Sequence, residues 1–392
     1  MFGKRFIGRF FVLLTLAAMI LTACGSSGGS AGVPTKGEVI VYVGVPLTGF
    51  QANAGQTVRD GVRLAAAEMN RQGGLLGYKV IVRSLDDQSD DQTAVDNVAK
   101  IEEAIANGEK VLGVIGHLNS GQTLAAMELY SKLPLVVITP TASEVSLTGK
   151  GYSNFFRVNA NDAVQADTVA KFLVNQIKAK NVAVVFNDSP YGVGLGKAVS
   201  DDLNKMGVKV VLSLKIKEGQ SEFPSEIPQI KNSAPDAVFY AGYEIDTPYL
   251  RDSLVTSGIT VPMIASDGAF LSTTIDEAGD SANGLYVTSF APSPKAVASA
   301  AWKEAYQAVT NRNPDTYSIN GYTAMSVLGE AVRKTGSLEP AKVAAVLHSG
   351  AEFDTIIGTL AFQANGDLLN GAKIWVYQVK ENEFSQIVWD EK

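Results

Sequence analysis

Cysteine and histidine are nearly missing from this chain, with one Cys and two His among 392 residues. A single cysteine cannot form a disulfide within the chain, so stability has to come from the core alone. His117 and His348 belong to no cluster with metal-ligand spacing, and no calcium-loop pattern occurs. Nucleophilic catalysis is as poorly served. His117 stands close to Ser120 at the end of an apolar run, but no third group that would orient a base is visible. A histidine bonded to nearby backbone accounts for it. Positive charge is not in excess either: the formal charge is −7, which argues against nucleic acid and against an electrostatic hold on anionic lipid. Beyond the leader, no uncharged apolar run reaches the roughly 18 residues that a transmembrane helix needs. No metal or cofactor is therefore expected, and a binder is favoured over an enzyme.

What is present begins with that leader. Lys4, Arg5 and Arg9 precede the apolar run Phe10 to Leu21, too short to span a bilayer and placed like a signal peptide. It closes on Leu21-Thr22-Ala23-Cys24, similar to a bacterial lipobox, and Cys24 is the only cysteine. Residues 1–23 are expected to be cleaved, Cys24 to carry lipid, and residues 24–37, rich in Gly and Ser, to form a flexible tether. Cleavage would take the formal charge from −7 to −10. The protein is thus expected to be exported and held by its N-terminal lipid to the outer face of a membrane.

From Glu38 the chain alternates strands with amphipathic helices. Val39–Val45 and Lys79–Leu85 read as strands. The helix between them carries Val58, Val62, Ala65, Ala66 and Met69 on one face, and the next aligns Val95, Val98, Ile101 and Ile105. The rhythm pauses over Glu144–Asn161 and restarts with strands at Val182–Phe186, Val208–Leu214, Ala237–Ala241 and Met263–Ser266. Helices at Ala296–Val309 and Ile319–Lys334 and short strands near Ile356–Phe362 and Ile374–Val379 close the chain. Such alternation predicts parallel sheets covered on both faces, in two lobes with a boundary near residue 158.

In open parallel sheets, ligands sit beyond the carboxyl ends of the strands, and the polar clusters of this chain fall there. Val111–Thr123 (VLGVIGHLNSGQT) runs from a buried strand through Leu118-Asn119-Ser120 into a helix. Backbone N–H groups and the positive end of a helix dipole meet at that junction, where small polar side chains suit a carboxylate. Leu135–Ser143 (LVVITPTAS) repeats the arrangement with Thr139, Thr141 and Ser143, although ordinary helix capping would also place hydroxyls there. Asp267, between Ser266 and Gly268 after an apolar run, could meet a ligand ammonium or bond its own turn. Tyr191, Tyr243 and Tyr317 occupy comparable positions and could wall a cleft or simply pack. Tyr191–Lys197 (YGVGLGK) invites a nucleotide reading but fails both glycine templates, so its glycines are expected to let the turn approach the cleft closely. Asp86-Asp87 and Asp90-Asp91 read as a solvated loop and a helix N-terminus.

The segments VIGHLNSGQT, VITPTASEVSLTGKGY, FNDSPYGVGLGKAV, VFYAGYE and ASDG, in that order, resemble the branched-chain amino-acid (Leu/Ile/Val) binding proteins of ABC importers, from about Val39 to Val388. The resemblance implies a periplasmic binding protein of type I: α/β, two Rossmann-like lobes joined by three crossover strands and closing over the ligand. Residues 38–159 with 291–373 would form the N-terminal lobe, and 160–290 with 374–392 the C-terminal one. Carried over by position, Leu118-Asn119-Ser120 and Thr141-Ala142-Ser143 would hold an α-carboxylate and part of the α-ammonium. Tyr191, Tyr243 and Asp267 would come from the facing lobe, Asp267 as counter-ion of the ammonium, and Tyr317 would line the side-chain end. Three positions depart from the family pattern. Ala54 replaces an aromatic residue, Asn119 a small sulfur-bearing one, and Asp267 is a methylene shorter than the usual Glu. The partners implied are an amino acid and a membrane ABC permease, for a protein expected to be a monomer. Binding of an amide, urea or aromatic carboxylate, a sensory subunit, and an exported hydrolase are the alternatives.

Overall fold

The computed structural model describes residues 32–370 and 372–389. The signal peptide, Cys24 and most of the tether lie outside the described residues.

The first sheet is built from β1 (Glu38–Val45), β2 (Lys79–Asp86), β3 (Val111–Gly116), β4 (Val136–Thr139) and β5 (Phe155–Arg157), all parallel, in the order β2-β1-β3-β4-β5. Strands β1, β3 and β4 are continuous apolar runs because helices cover both faces of the sheet. The second sheet comprises β6 (Asn181–Asn187), β7 (Lys209–Ile216), β8 (Ala237–Ala241), β9 (Met263–Ala265) and β10 (Tyr286–Ser289). Three further strands, β11 (Phe353–Thr355), β12 (Gly358–Phe362) and β13 (Leu368–Asn370), form a small antiparallel sheet packed on the first core. Two more, β14 (Trp375–Lys380) and β15 (Glu383–Gln386), add antiparallel to the edge of the second sheet, giving β15-β14-β10-β9-β8-β6-β7. The parallel parts of both sheets therefore share one winding, with the first strand between the second and third.

The chain crosses between the sheets three times, and the crossings pack on one another. Ala160, Phe290 and Ile374, one from each, form a small buried cluster. On the first lobe, the helix Ala52–Arg71 lies against the helix Thr316–Thr335 at reciprocal glycines. A Cβ on Gly61 would stand 2.1 Å from the Ser318 carbonyl oxygen, and one on Gly321 2.2 Å from that of Val58. Only two glycines allow this approach, which brings the first turns of both helices to the same end of the sheet. Asp315 caps the second helix by accepting from the Ser318 amide at 2.8 Å, fixing Tyr317 in its first turn.

Several elements differ from expectation. The pause at Glu144–Asn161 contains β5, and the central strand β10 and the helix Pro340–Leu347 were not anticipated. Their short length leaves too few positions for a periodicity to show. Asp86 is no solvated loop residue: it accepts from the Leu47 amide at 2.8 Å and the Thr48 hydroxyl at 2.5 Å, holding the loop after β1. Asp90 does cap a helix, accepting from the Thr93 amide at 2.7 Å. No helix among the described residues is long and apolar enough to cross a membrane.

Candidate functional site

Each sheet reverses its winding between its first and third strands, which opens a crevice beyond their carboxyl ends. The two crevices face one another, and residues of both line a single cavity. Gln51 and Ala54 reach it from after β1, Leu118, Asn119 and Ser120 from after β3, and Thr141 and Ser143 from after β4. From the other lobe come Tyr191 after β6, Tyr243 and Glu244 after β8, and Asp267 with Gly268 after β9. Tyr317 completes the lining.

The first-lobe wall is a scaffold of backbone donors and hydroxyls. The helix Ser120–Tyr130 makes its first intrahelical bond from the Thr123 amide to the Asn119 carbonyl at 3.1 Å, so the preceding amides have no intrahelical acceptor. Ser120 Oγ accepts from the amides of Ser143 and Glu144 at 3.3 and 3.2 Å, which locks the two junctions together and leaves its own hydrogen to donate. Thr141 donates its hydroxyl to the Leu118 carbonyl at 2.6 Å. Behind them Arg157, fully buried, pairs with Asp367 at 2.7 Å and donates to the carbonyls of Ala142 and Glu144. Asn119 donates its amide to Gln51, whose Oε1 also accepts from the Ser89 hydroxyl at 3.0 Å.

The second-lobe wall is acidic and aromatic. Asp267 Oδ1 accepts from the Tyr191 hydroxyl and from Gln165 Nε2, the latter at 3.0 Å. Gln165 is itself held by the Thr288 hydroxyl at 2.9 Å, so β10 braces the acid from behind. Burial pushes the Asp267 carboxyl up to about 6, although the Tyr191 and Gln165 bonds pull the other way. The Tyr191 and Tyr243 rings stack with centroids 5.3 Å apart. Gly268 permits this packing, because a Cβ there would lie 2.4 Å from the Gly242 carbonyl oxygen and 2.8 Å from the Tyr243 ring. The two walls are bonded to one another: the Tyr317 hydroxyl donates to the Asp267 carbonyl at 3.0 Å. No Lys, Arg or His lines the cavity among the described residues.

A family model of the periplasmic binding proteins matches residues 41–383. The chain belongs to this family. Among its relatives, Leu/Ile/Val-binding protein BraC3 of Rhizobium johnstonii is 30% identical over 332 residues, covering 84% of this chain and 89% of that protein. Leu/Ile/Val-binding protein homolog 1 of Brucella abortus is 29% identical over 353 residues, 90% of this chain and 92% of the relative. The leucine-binding protein LivK of Thermotoga maritima superposes with a TM-score of 0.81 at 25% identity, over 89% of this chain and 98% of that one. The α/β fold with parallel sheets flanked by helices is that of this periplasmic binding protein family.

Of the ten residues singled out for ligand contact, nine line the cavity: Leu118, Asn119, Ser120, Thr141, Ser143, Tyr191, Tyr243, Asp267 and Tyr317. Ala142 does not. Its side chain is packed in the core, its amide donates to Thr139 Oγ1 at 2.9 Å, and its carbonyl accepts from Arg157 at 3.2 Å, so it has no group left for a ligand. Gln51 and Glu244 were missed: Gln51 is an ordinary polar loop residue, and Glu244 closes the segment VFYAGYE, where only Tyr243 was singled out. His117 corrects another expectation: it bonds side chains, not backbone, with Nδ1 2.6 Å from Asp87 Oδ2 and Nε2 3.2 Å from the Tyr130 hydroxyl. An orienting acid is therefore present, but Ser120 is engaged elsewhere and no base–nucleophile pair forms between them. Gly192 and Gly196 serve packing on β6 rather than approach to the cleft, since Cβ atoms would meet Asn187 at 2.2 Å and Phe186 at 2.9 Å.

Proposed function

We propose that this chain is an extracytoplasmic solute-binding protein of an ABC importer, holding an amino acid in the cleft between its lobes. One observation carries the reading. A wall of hydroxyls and unpaired helix-start amides from one lobe and a buried carboxylate from the other line the same cavity. That arrangement matches the two charges of a zwitterion. The α-carboxylate would take the Ser120 hydroxyl, the Ser143 side chain and the amides at the start of the helix. The α-ammonium would take Asp267 Oδ2. The names of the relatives, Leu/Ile/Val-binding proteins, support the amino-acid class.

The mechanism follows from the hinge. Three chain crossings meet at Ala160, Phe290 and Ile374, so the lobes (38–159 with 291–373, and 160–290 with 374–392) can rotate about one compact point. Ligand bound to one wall recruits the other, and the closed state is populated in proportion to the difference in affinity. Tyr317 and Asp267 then bond across the mouth. The protein binds and releases its solute without chemical change, hands it to a membrane permease as a monomer, and is tethered by lipid on Cys24. Calorimetric titration of the mature chain with the proteinogenic amino acids tests this: one-to-one binding of at least one is expected. No heat from any of them, with unchanged melting temperature, would end the amino-acid reading.

A further inference from the structure

The zwitterion leaves Glu244 without a partner. It lines the cavity directly after Tyr243, is 6% exposed, and its Oε1 is buried with no hydrogen-bond partner among the described residues. Its amide donates to the Gly268 carbonyl at 2.9 Å, which ties it to the loop bearing Asp267. Its charge, after burial and that of Asp267, helps push the Tyr317 hydroxyl upward. Burial also pushes its own carboxyl up to about 8, with Asp246 and Glu218 contributing. The lining thus holds two acids and no base among the described residues.

A zwitterion's ammonium answers Asp267 and its carboxylate is met by hydroxyls and amides; nothing in that pairing satisfies the second acid. A buried carboxyl left unpaired is costly whether charged or neutral. An aliphatic side chain would seal it from water and leave it so. Apolar surface in the rest of the wall comes mainly from the rings of Tyr191, Tyr243 and Tyr317. Only Ala54 and Leu118 of the lining residues are aliphatic, and Gln51 and Asn119 add two amides. We propose that Glu244 is a specificity residue: it receives a hydrogen-bond donor on the ligand's side chain, an amide, hydroxyl or ammonium, so donor-bearing amino acids are preferred to branched aliphatic ones. The proposal rests on the amino-acid reading and narrows it. A site built around a polar partner rejects the analogue that lacks one far more strongly than an apolar pocket rejects an extra methyl.

The test is titration calorimetry of the mature chain with glutamine, threonine and ornithine against leucine, isoleucine and valine. It is done for the unaltered protein, Glu244→Leu and Glu244→Gln, with melting curves to confirm folding. The best donor-bearing ligand should bind at least roughly tenfold tighter than the best branched one. In Glu244→Leu that ratio should fall below about threefold. Glu244→Gln, which keeps an acceptor without charge, should retain it for glutamine and threonine and lose it for ornithine; it also serves if the leucine variant fails to fold. A protein that prefers leucine, isoleucine or valine, or a ratio unmoved by both substitutions, overturns the role of Glu244 while leaving an amino-acid binder. Binding of none of the six in any form overturns the role of Glu244, and silence with every other proteinogenic amino acid as well would end the amino-acid reading.

Discussion

Asp267→Asn separates the site's two demands on that carboxylate, because it should weaken binding and stabilise the empty protein at once. The substitution keeps volume and removes charge. Loss of a desolvated charge pair costs roughly 2–5 kcal/mol. The Tyr191 and Gln165 donors already share the charge through Oδ1, which places the loss at the lower end, about 2–3 kcal/mol. That is roughly a 30- to 150-fold rise in Kd. The second effect has the opposite sign. Burial raises the native carboxyl from 3.8 to about 6, so the native state binds this proton more tightly than the unfolded chain does. Its contribution to stability therefore falls as pH rises from about 4 to about 6, and is lowest at neutral pH. Asparagine relieves a penalty of at most about 3 kcal/mol, which should raise the melting temperature of the ligand-free protein at pH 8 by a few degrees. Calorimetry and thermal melts on the same sample read both. Unchanged affinity in a folded variant refutes the ammonium role. A lower melting temperature together with weaker binding refutes the assignment of burial as the dominant influence on this acid.

Tyr317→Phe removes the bond across the cleft mouth, worth about 0.5–1.5 kcal/mol, so calorimetry should show Kd rising roughly two- to twelvefold; an unchanged Kd would mean that closure does not use this contact. Gly268→Ala forces a methyl to within 2.4 Å of backbone oxygen and should cost about 1–3 kcal/mol in thermal or denaturant melts along with binding. Wild-type stability in that variant would contradict the packing described. Burial pushes Glu218 and Asp162 up to about 7 and Asp246 up to about 6, so the native state holds protons that the unfolded chain releases. The ligand-free protein should accordingly melt lower at pH 8 than at pH 6, and a flat or rising profile would refute this. Finally, Cys24→Ser should move the exported protein from the membrane fraction to the soluble one, as fractionation and immunoblotting would show; continued membrane retention removes the lipid tether.

Much of this architecture is legible in the chain because burial on both faces of a parallel sheet writes itself as uninterrupted apolar runs. Val39–Val45, Val111–Gly116 and Ala237–Ala241 are such runs. Strands β5 and β10 escape because three or four residues carry no period, although β10 supplies Thr288, the brace behind Gln165 and Asp267. The pairing of Asp87 with His117 escapes for a different reason: the partners are 30 residues apart and meet only because β2 and β3 flank β1.

The order of elements, the positions of their carboxyl ends and the polar residues stationed there are local properties, determined by hydrophobic period and turn chemistry, and the sequence by itself determined them. Which of those residues meet is not local. Only the tertiary structure decided that Ala142 turns into the core while Ser120 and Ser143 stay at the cavity, and that Asp267 shares its charge with Tyr191 and Gln165. It also decided that Glu244 stands in the cavity with an Oε1 that none of the described residues bonds, since that requires the loops after β8 and β9 to pack through Gly268 and a second lobe to close over them. Spacing along a chain carries the period of each element; it does not carry the approach of two lobes that share only three crossings.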